Sequence, residues 1–196
     1  MISHSVSEDD AAMELVTQLQ VACLFKDDFF REIDLFSVIV PKEYDSIKAW
    51  LQFRQTYPNQ FANWIDHSDS HHEQTSAMFT PGKRLKVKAL AVKYGKRVSW
   101  RECLCVTHQQ NWEIFTGVHG LALAYQHGKE VMARTGKRFV SFSKDDENRL
   151  YKTPKDHHVV PAMTVCKDGN SRWSQLPLRR EGCYGDAFLV IQPDDD

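Results

Sequence analysis

Residues 84–92, RLKVKALAV, alternate between charged and apolar side chains, and this period of two constrains the fold more than any other stretch. Alternating side chains on a strand point to opposite faces. Arg84, Lys86 and Lys88 therefore share one face, and Leu85, Val87, Ala89 and Ala91 share the other. Such a strand must bury its apolar side in a sheet that leaves the charged side wet. Tyr94-Gly95-Lys96-Arg97 follows with turn chemistry. Gly95, as the first residue of a two-residue type II′ loop, predicts a hairpin. In that register Val92 pairs with Ser99, Leu90 with Arg101, Lys88 with Cys103 and Lys86 with Cys105. The expected ribbon spans 84–107. It turns Leu85, Val87, Ala91, Trp100, Leu104 and Val106 inward, and Arg84, Lys86, Lys88, Arg97 and Arg101 outward around Tyr94.

The flanking sequence predicts an α+β fold. Residues 1–65 read as a mainly helical N-terminal region. Ser7 and the acids after it suit a helix start, and Leu15, Val16, Leu19, Ala22 and Cys23 recur at helical spacing. Asp28 is expected to cap a short helix carrying Phe29, Phe30 and Ile33. Val38–Val40 reads as a short strand or connector, and a third helix follows Pro41, bearing Tyr44, Ile47, Trp50 and Leu51 and ending near Tyr57. Residues 66–82 are polar, rich in Ser and His and closed by Pro-Gly, the composition of a loop or linker. Residues 83–196 are expected to form an antiparallel sheet with one long helix, 117–134, packed on it. Further strands are expected at 112–115, 139–142, 159–166, around Trp173 and at 187–192. Pro161 points its strand toward a sheet edge or a bulge, and Lys167-Asp168-Gly169-Asn170 is a turn. A single domain overall also fits the length of 196 residues.

Charge narrows the function. From Lys83 to Arg101 the chain carries eight cations and no acid, yet its net charge is only −1. A protein that coats nucleic acid along its whole surface is strongly basic, so any anion-binding surface here is local. The expected patch is Arg84, Lys86, Lys88, Arg97 and Arg101 with Tyr94, extended by Lys137 and Arg138 at the end of the long helix. Cations neutralise phosphates, and an aromatic ring stacks on an unpaired base. The competing explanation is that one face of an antiparallel sheet is wet and carries Lys and Arg for solubility.

Other chemistry is thinner. His67, His71 and His72, with Asp66, Asp69 and Glu73, form a histidine-rich tract able to hold a metal weakly. Five cysteines at irregular spacing suit reduced thiols. On the expected ribbon Cys103 and Cys105 lie opposite lysines, which favour thiolate. Cys105-x-x-His108 suggests a metal half-site or nucleophile pair. Thr116–Gly120 opens a helix whose amides suit an anion, and His119 and His127 stand two turns apart on it. The chain has no GxSxG, HExxH, P-loop, EF-hand or kinase signature. No cofactor is called for. No apolar run approaches the roughly 20 residues of a membrane span, and the N-terminus lacks a leader pattern, so the cytoplasm is the expected location.

The expectation is a non-enzymatic nucleic-acid-binding protein that uses the basic hairpin face. One alternative is a regulatory module docking an acidic protein. Another is a small histidine-dependent hydrolase or nuclease.

Overall fold

The computed structural model describes residues 28–58, 79–115, 117–142, 151–152, 158–177 and 180–192. The protein mixes α and β structure in one sheet with helices on both faces. Its strands are β1 (Phe30–Ile39), β2 (Arg84–Val92), β3 (Glu113–Ile114), β4 (Arg138–Val140), β5 (Tyr151–Lys152), β6 (His158–Val165), β7 (Ser171–Pro177) and β8 (Asp186–Gln192). Its helices are α1 (Ser46–Thr56), α2 (Trp100–Gln109) and α3 (Gly117–Thr135). The strand order is β1-β2-β8-β4-β6-β5, with β3 added to β8 and β7 to β6. The β4–β8 pair is parallel, and the other pairs are antiparallel.

β2 forms as its alternation predicts. Leu85, Val87, Ala89 and Ala91 face a core shared with α1 and α3. The opposite face carries Arg84, Lys86 and Lys88 and then changes character, because Leu90 and Val92 are buried in a second core with Trp100, Cys103 and Val106 of α2. α2 therefore covers only the far half of that face.

Three expectations about residues 30–109 are corrected. First, β2 does not fold back on 98–107 as a hairpin. It pairs with β1 on one side and β8 on the other, and residues 100–109 are helical. Ser99 caps that helix, accepting from the Glu102 N–H at 3.2 Å while the Glu102 carboxylate takes the Ser99 N–H at 2.6 Å. Ser99-x-x-Glu102 is a capping box, and it outweighs the strand-like pattern after it. Ser99→Ala should lower the unfolding free energy by about 1 kcal/mol, measurable by urea denaturation. A change under about 0.3 kcal/mol would mean that α2 is held by packing alone.

Second, the turn is placed differently. Lys96 N–H bonds Lys93 C=O at 3.1 Å, so Tyr94 and Gly95 are its central residues, and Gly95 has φ +75°. A positive φ at the third turn position is the type II requirement that glycine meets.

Third, residues 30–39 are a strand, where a helix over Phe29–Ile33 was expected. The register shifts between Asp34 and Phe36, so Leu35 is an extra residue in β1. Ile33 faces the α3 core before this bulge, and Phe36 and Val38 face it afterwards. The alternation changes phase midway, and no single period fits the segment. The expected helix over residues 7–23 and the linker over 66–78 lie outside the described residues.

The third expected helix is present as α1, capped by Asp45, whose carboxylate accepts from the Ile47 and Lys48 amides, both at 3.0 Å. Those bonds hold Asp45 below the usual carboxylate range. Pro161 lies inside the sheet, not at its edge, since β6 pairs with β7 along its length and with β4 on the other side. The Pro161 C=O accepts from Ser141 N–H, one residue beyond β4. A strand residue's N–H and C=O point the same way. The missing N–H faces the same neighbour, so the return bond to the Ser141 C=O cannot form and the β4 ladder stops at Val140.

Candidate nucleic-acid interface

The residues expected on one hairpin face fall into two groups at opposite ends of β2. Arg84 and Lys86 are exposed near its start. Lys88 is consumed there. Its side chain is only 12% exposed, and its ammonium lies 3.4 Å from Glu32, 3.2 Å from Asp34 and 5.7 Å from the centre of the Trp112 ring. Glu32 and Asp34 reach it from β1, where Asp34 is its direct cross-strand partner. Arg101 sits in the first turn of α2 and is not on a strand.

At the far end of β2 the topology gathers a second group. Phe30 pairs with Val92, Ala91 with Ala187, Arg138 with Asp186, and Arg138 also with Thr164. The starts of β1, β8 and β4 and the ends of β2 and β6 therefore share one margin of the sheet. Four of the expected residues stand there, namely Tyr94, Arg97, Lys137 and Arg138. Paired amides and carbonyls of Val98 and Gly182, at 3.1 and 2.7 Å, tie the turn after β2 to the segment before β8.

That tether brings Tyr94 to Tyr184. Their rings meet edge to face, with centroids 5.5 Å apart and planes at 81°. Tyr94 is 85% exposed and Tyr184 54%. The Lys137 ammonium lies 3.5 Å from the Tyr184 ring centre and also donates to the Tyr184 C=O. Burial lowers the Lys137 pKa and Arg31 pushes it the same way, against the pull of Asp186. Lys93, Lys96 and Arg97 are exposed around the turn. The Lys96 ammonium stands 5.0 Å from the Phe29 ring centre, and Arg97 lies 3.7 Å from Glu181.

Asp186 holds this margin together from beneath. It is fully buried. Its Oδ1 accepts from Arg138 Nε at 2.7 Å and from Nη2, and its Oδ2 accepts from Cys183 N–H at 3.0 Å. Arg180 Nη2 is 3.6 Å from Oδ2. Arg138 is thus a scaffold residue that fixes the segment bearing Tyr184, and not a free cation. The sequence signal for this segment was Arg179-Arg180-Glu181-Gly182-Cys183-Tyr184, a second basic and aromatic stretch that the expected patch omitted.

Beside this margin a groove of about 790 Å³ runs between α3 and the turn joining β6 to β7. Lys129, Glu130, Arg134, Lys167 and Asp168 line it. The Tyr125 hydroxyl donates to the Gly169 C=O at 2.5 Å and pins the turn to the helix. Hydrogen bonds from the Asn170 side chain and backbone hold Asp168 below the usual carboxylate range.

Among the described residues the alternative chemistries do not assemble. His119 is buried with Nδ1 3.0 Å from the Ser46 C=O, while His127 is exposed on the same helix and His108 is exposed on α2, across the sheet. The Gly117 amide that opens α3 donates to the Phe142 C=O at 2.9 Å, so it is not open to an anion. Cys103 is fully buried, and burial pushes its thiol up, the reverse of the thiolate expected beside lysines. Cys105 is buried and His108 exposed on α2. Among the described residues no group of three or more His, Cys, Asp or Glu is placed to hold a metal, and His67, His71 and His72 lie outside them. No helix among the described residues is long and apolar enough to cross a membrane. No protein-family model, curated protein or solved structure matches the chain.

Proposed function

We propose that the protein binds nucleic acid without catalysing a reaction, and that the contact surface is the strand-end margin around Tyr94 and Tyr184, not the Arg84–Lys88 face. One observation carries the reading: two exposed tyrosine rings in edge-to-face contact, one backed by a lysine ammonium, stand among Lys93, Lys96 and Arg97. Cations supply attraction to phosphate, and the rings supply what a simple solubilising patch does not need. An acidic protein would use the same charges, but a nucleic-acid strand offers the Tyr94 ring a planar face at every unit.

The test is binding by the full chain at low salt, compared with two charge-reversed variants. Lys93→Glu, Lys96→Glu and Arg97→Glu together should weaken binding at least about tenfold and flatten its salt dependence. Arg84→Glu with Lys86→Glu should change it less than about threefold, because those side chains lie roughly 25 Å away along β2. The reverse ranking would return the site to the β2 face. If no DNA or RNA binds at low salt while a nuclease-resistant protein partner is captured through the same lysines, the docking-module alternative replaces this reading.

A further inference from the structure

We infer that this margin takes a single strand, with one unpaired base stacked on Tyr94; the inference rests on the nucleic-acid reading above. Tyr94 lies at the second position of a tight turn and projects with 85% of its surface exposed. Apolar ring surface left so open is normally folded down against a neighbour. Here it is held out, since Tyr184 meets it edge to face and Lys137 in turn fixes Tyr184. The Tyr184 segment is itself tied down through Gly182 to Val98 and through Cys183 to Asp186. The Tyr184 contact narrows the positions open to the ring before a ligand arrives, which lowers the entropic cost of stacking.

A base inside a duplex has both faces covered by its neighbours, so it offers nothing to a projecting ring. An unpaired base offers its whole face. The cations are also arranged for a single backbone. Lys93, Lys96 and Arg97 are exposed within three residues of the ring, Lys96 over Phe29 and Arg97 beside Glu181, so a phosphate next to a stacked base is in reach of an ammonium or a guanidinium. From the Tyr94 turn the strand ends of β8 and β4 lead to the Lys167 turn after β6, a path of about 14 Å at the usual strand spacing. There the groove between α3 and that turn continues it, and Lys129, Arg134 and Lys167 alternate with Glu130 and Asp168. Mixed charge of this kind suits base edges, whose amino groups donate to carboxylates, better than an unbroken row of duplex phosphates.

The experiment uses fluorescence anisotropy with the full chain and labelled oligouridylate, oligothymidylate and a mixed-sequence duplex, each about twelve units long. Single strands are expected to bind at least about tenfold more tightly than duplex. Tyr94→Ala should weaken single-strand binding about tenfold and Tyr94→Phe by less than about twofold, with duplex affinity unmoved by either. Tyr94 buries so little that neither change should alter the circular dichroism spectrum. Duplex binding as tight as single-strand binding, or single-strand binding unchanged in Tyr94→Ala, overturns the inference while leaving the broader reading intact. Failure of all three probes to bind overturns both.

Discussion

Asp186→Ala is expected to lower the unfolding free energy by about 3 kcal/mol, which in a chain of 196 residues is a fall in melting temperature of roughly 6–12 °C. Removing one partner of a buried ion pair typically costs 3–5 kcal/mol, because the other charge keeps its desolvation cost and loses its compensation. The lower end applies here because the Arg138 and Arg180 side chains are 26% and 34% exposed and can turn to water. The Cys183 amide also loses its acceptor. That amide sits one residue before Tyr184, so the tyrosine pair should lose order together with stability. The same variant should bind single-stranded oligonucleotide more weakly, even though Asp186 is too deeply buried to touch a ligand. Asp186→Asn preserves an acceptor for Cys183 and removes the charge, so it should lie between wild type and Asp186→Ala in both measurements. A stability loss below about 1 kcal/mol would show that the two guanidinium groups do not depend on this carboxylate.

Gly128→Val should cost about 3 kcal/mol, at the top of the usual range for forcing atoms into a packed site. Gly128 interrupts α3 with φ −140° and ψ 16°, and the Phe36 ring of β1 packs into the space this leaves. A Cβ at position 128 would stand 2.0 Å from Phe36 Cε1 and 2.2 Å from Cδ1. The dihedrals are open to any residue, so the obstacle is the ring, not the backbone. That distinction gives the test. Phe36→Ala should relieve the Gly128→Val defect, with a coupling of at least about 1 kcal/mol in a double-mutant cycle. Additive costs would locate the penalty in the helix backbone and refute the steric account. Because Phe36 follows the bulge at Leu35, this contact also fixes which face of β1 meets α3.

The errors of sequence reading have definite physical origins. Trp100, Leu104 and Val106 satisfy a period of two and a helical period together, so apolar pattern alone does not decide the element. Glu102 decides it. On a strand it falls among the apolar residues, whereas on a helix it closes the capping box with Ser99. Cys103 and Thr107, both fully buried, fit only the helical choice. β1 was hidden for a different reason: one extra residue shifts its phase, and local periodicity cannot register a bulge that only the partner strand defines. Of the candidate site, Tyr94, Arg97, Lys137 and Arg138 were read from the sequence. Tyr184, Arg180 and Asp186 were not, since nothing near them in the chain says which strand ends they join.

What the sequence determined by itself was local. The alternation of β2, the helical spacing of α3, the strand around Trp173 and the turn at Lys167–Asn170 all depend on residues within a few positions of one another. The tertiary structure decided the rest. It inserted β8 between β2 and β4, and that insertion brings the turn at 93–97, the start of β4 and the segment before β8 to one margin. It also separated Arg84 and Lys86 from Tyr94 by the length of a strand and spent Lys88 on Glu32 and Asp34. Strand order follows from which apolar faces can be buried together in two cores at once, a property of the whole chain. A run of eight cations that reads as one patch in sequence is therefore divided in space, and the half around Tyr94 is joined by residues some 40 and 90 positions away, among them Lys137 and Tyr184.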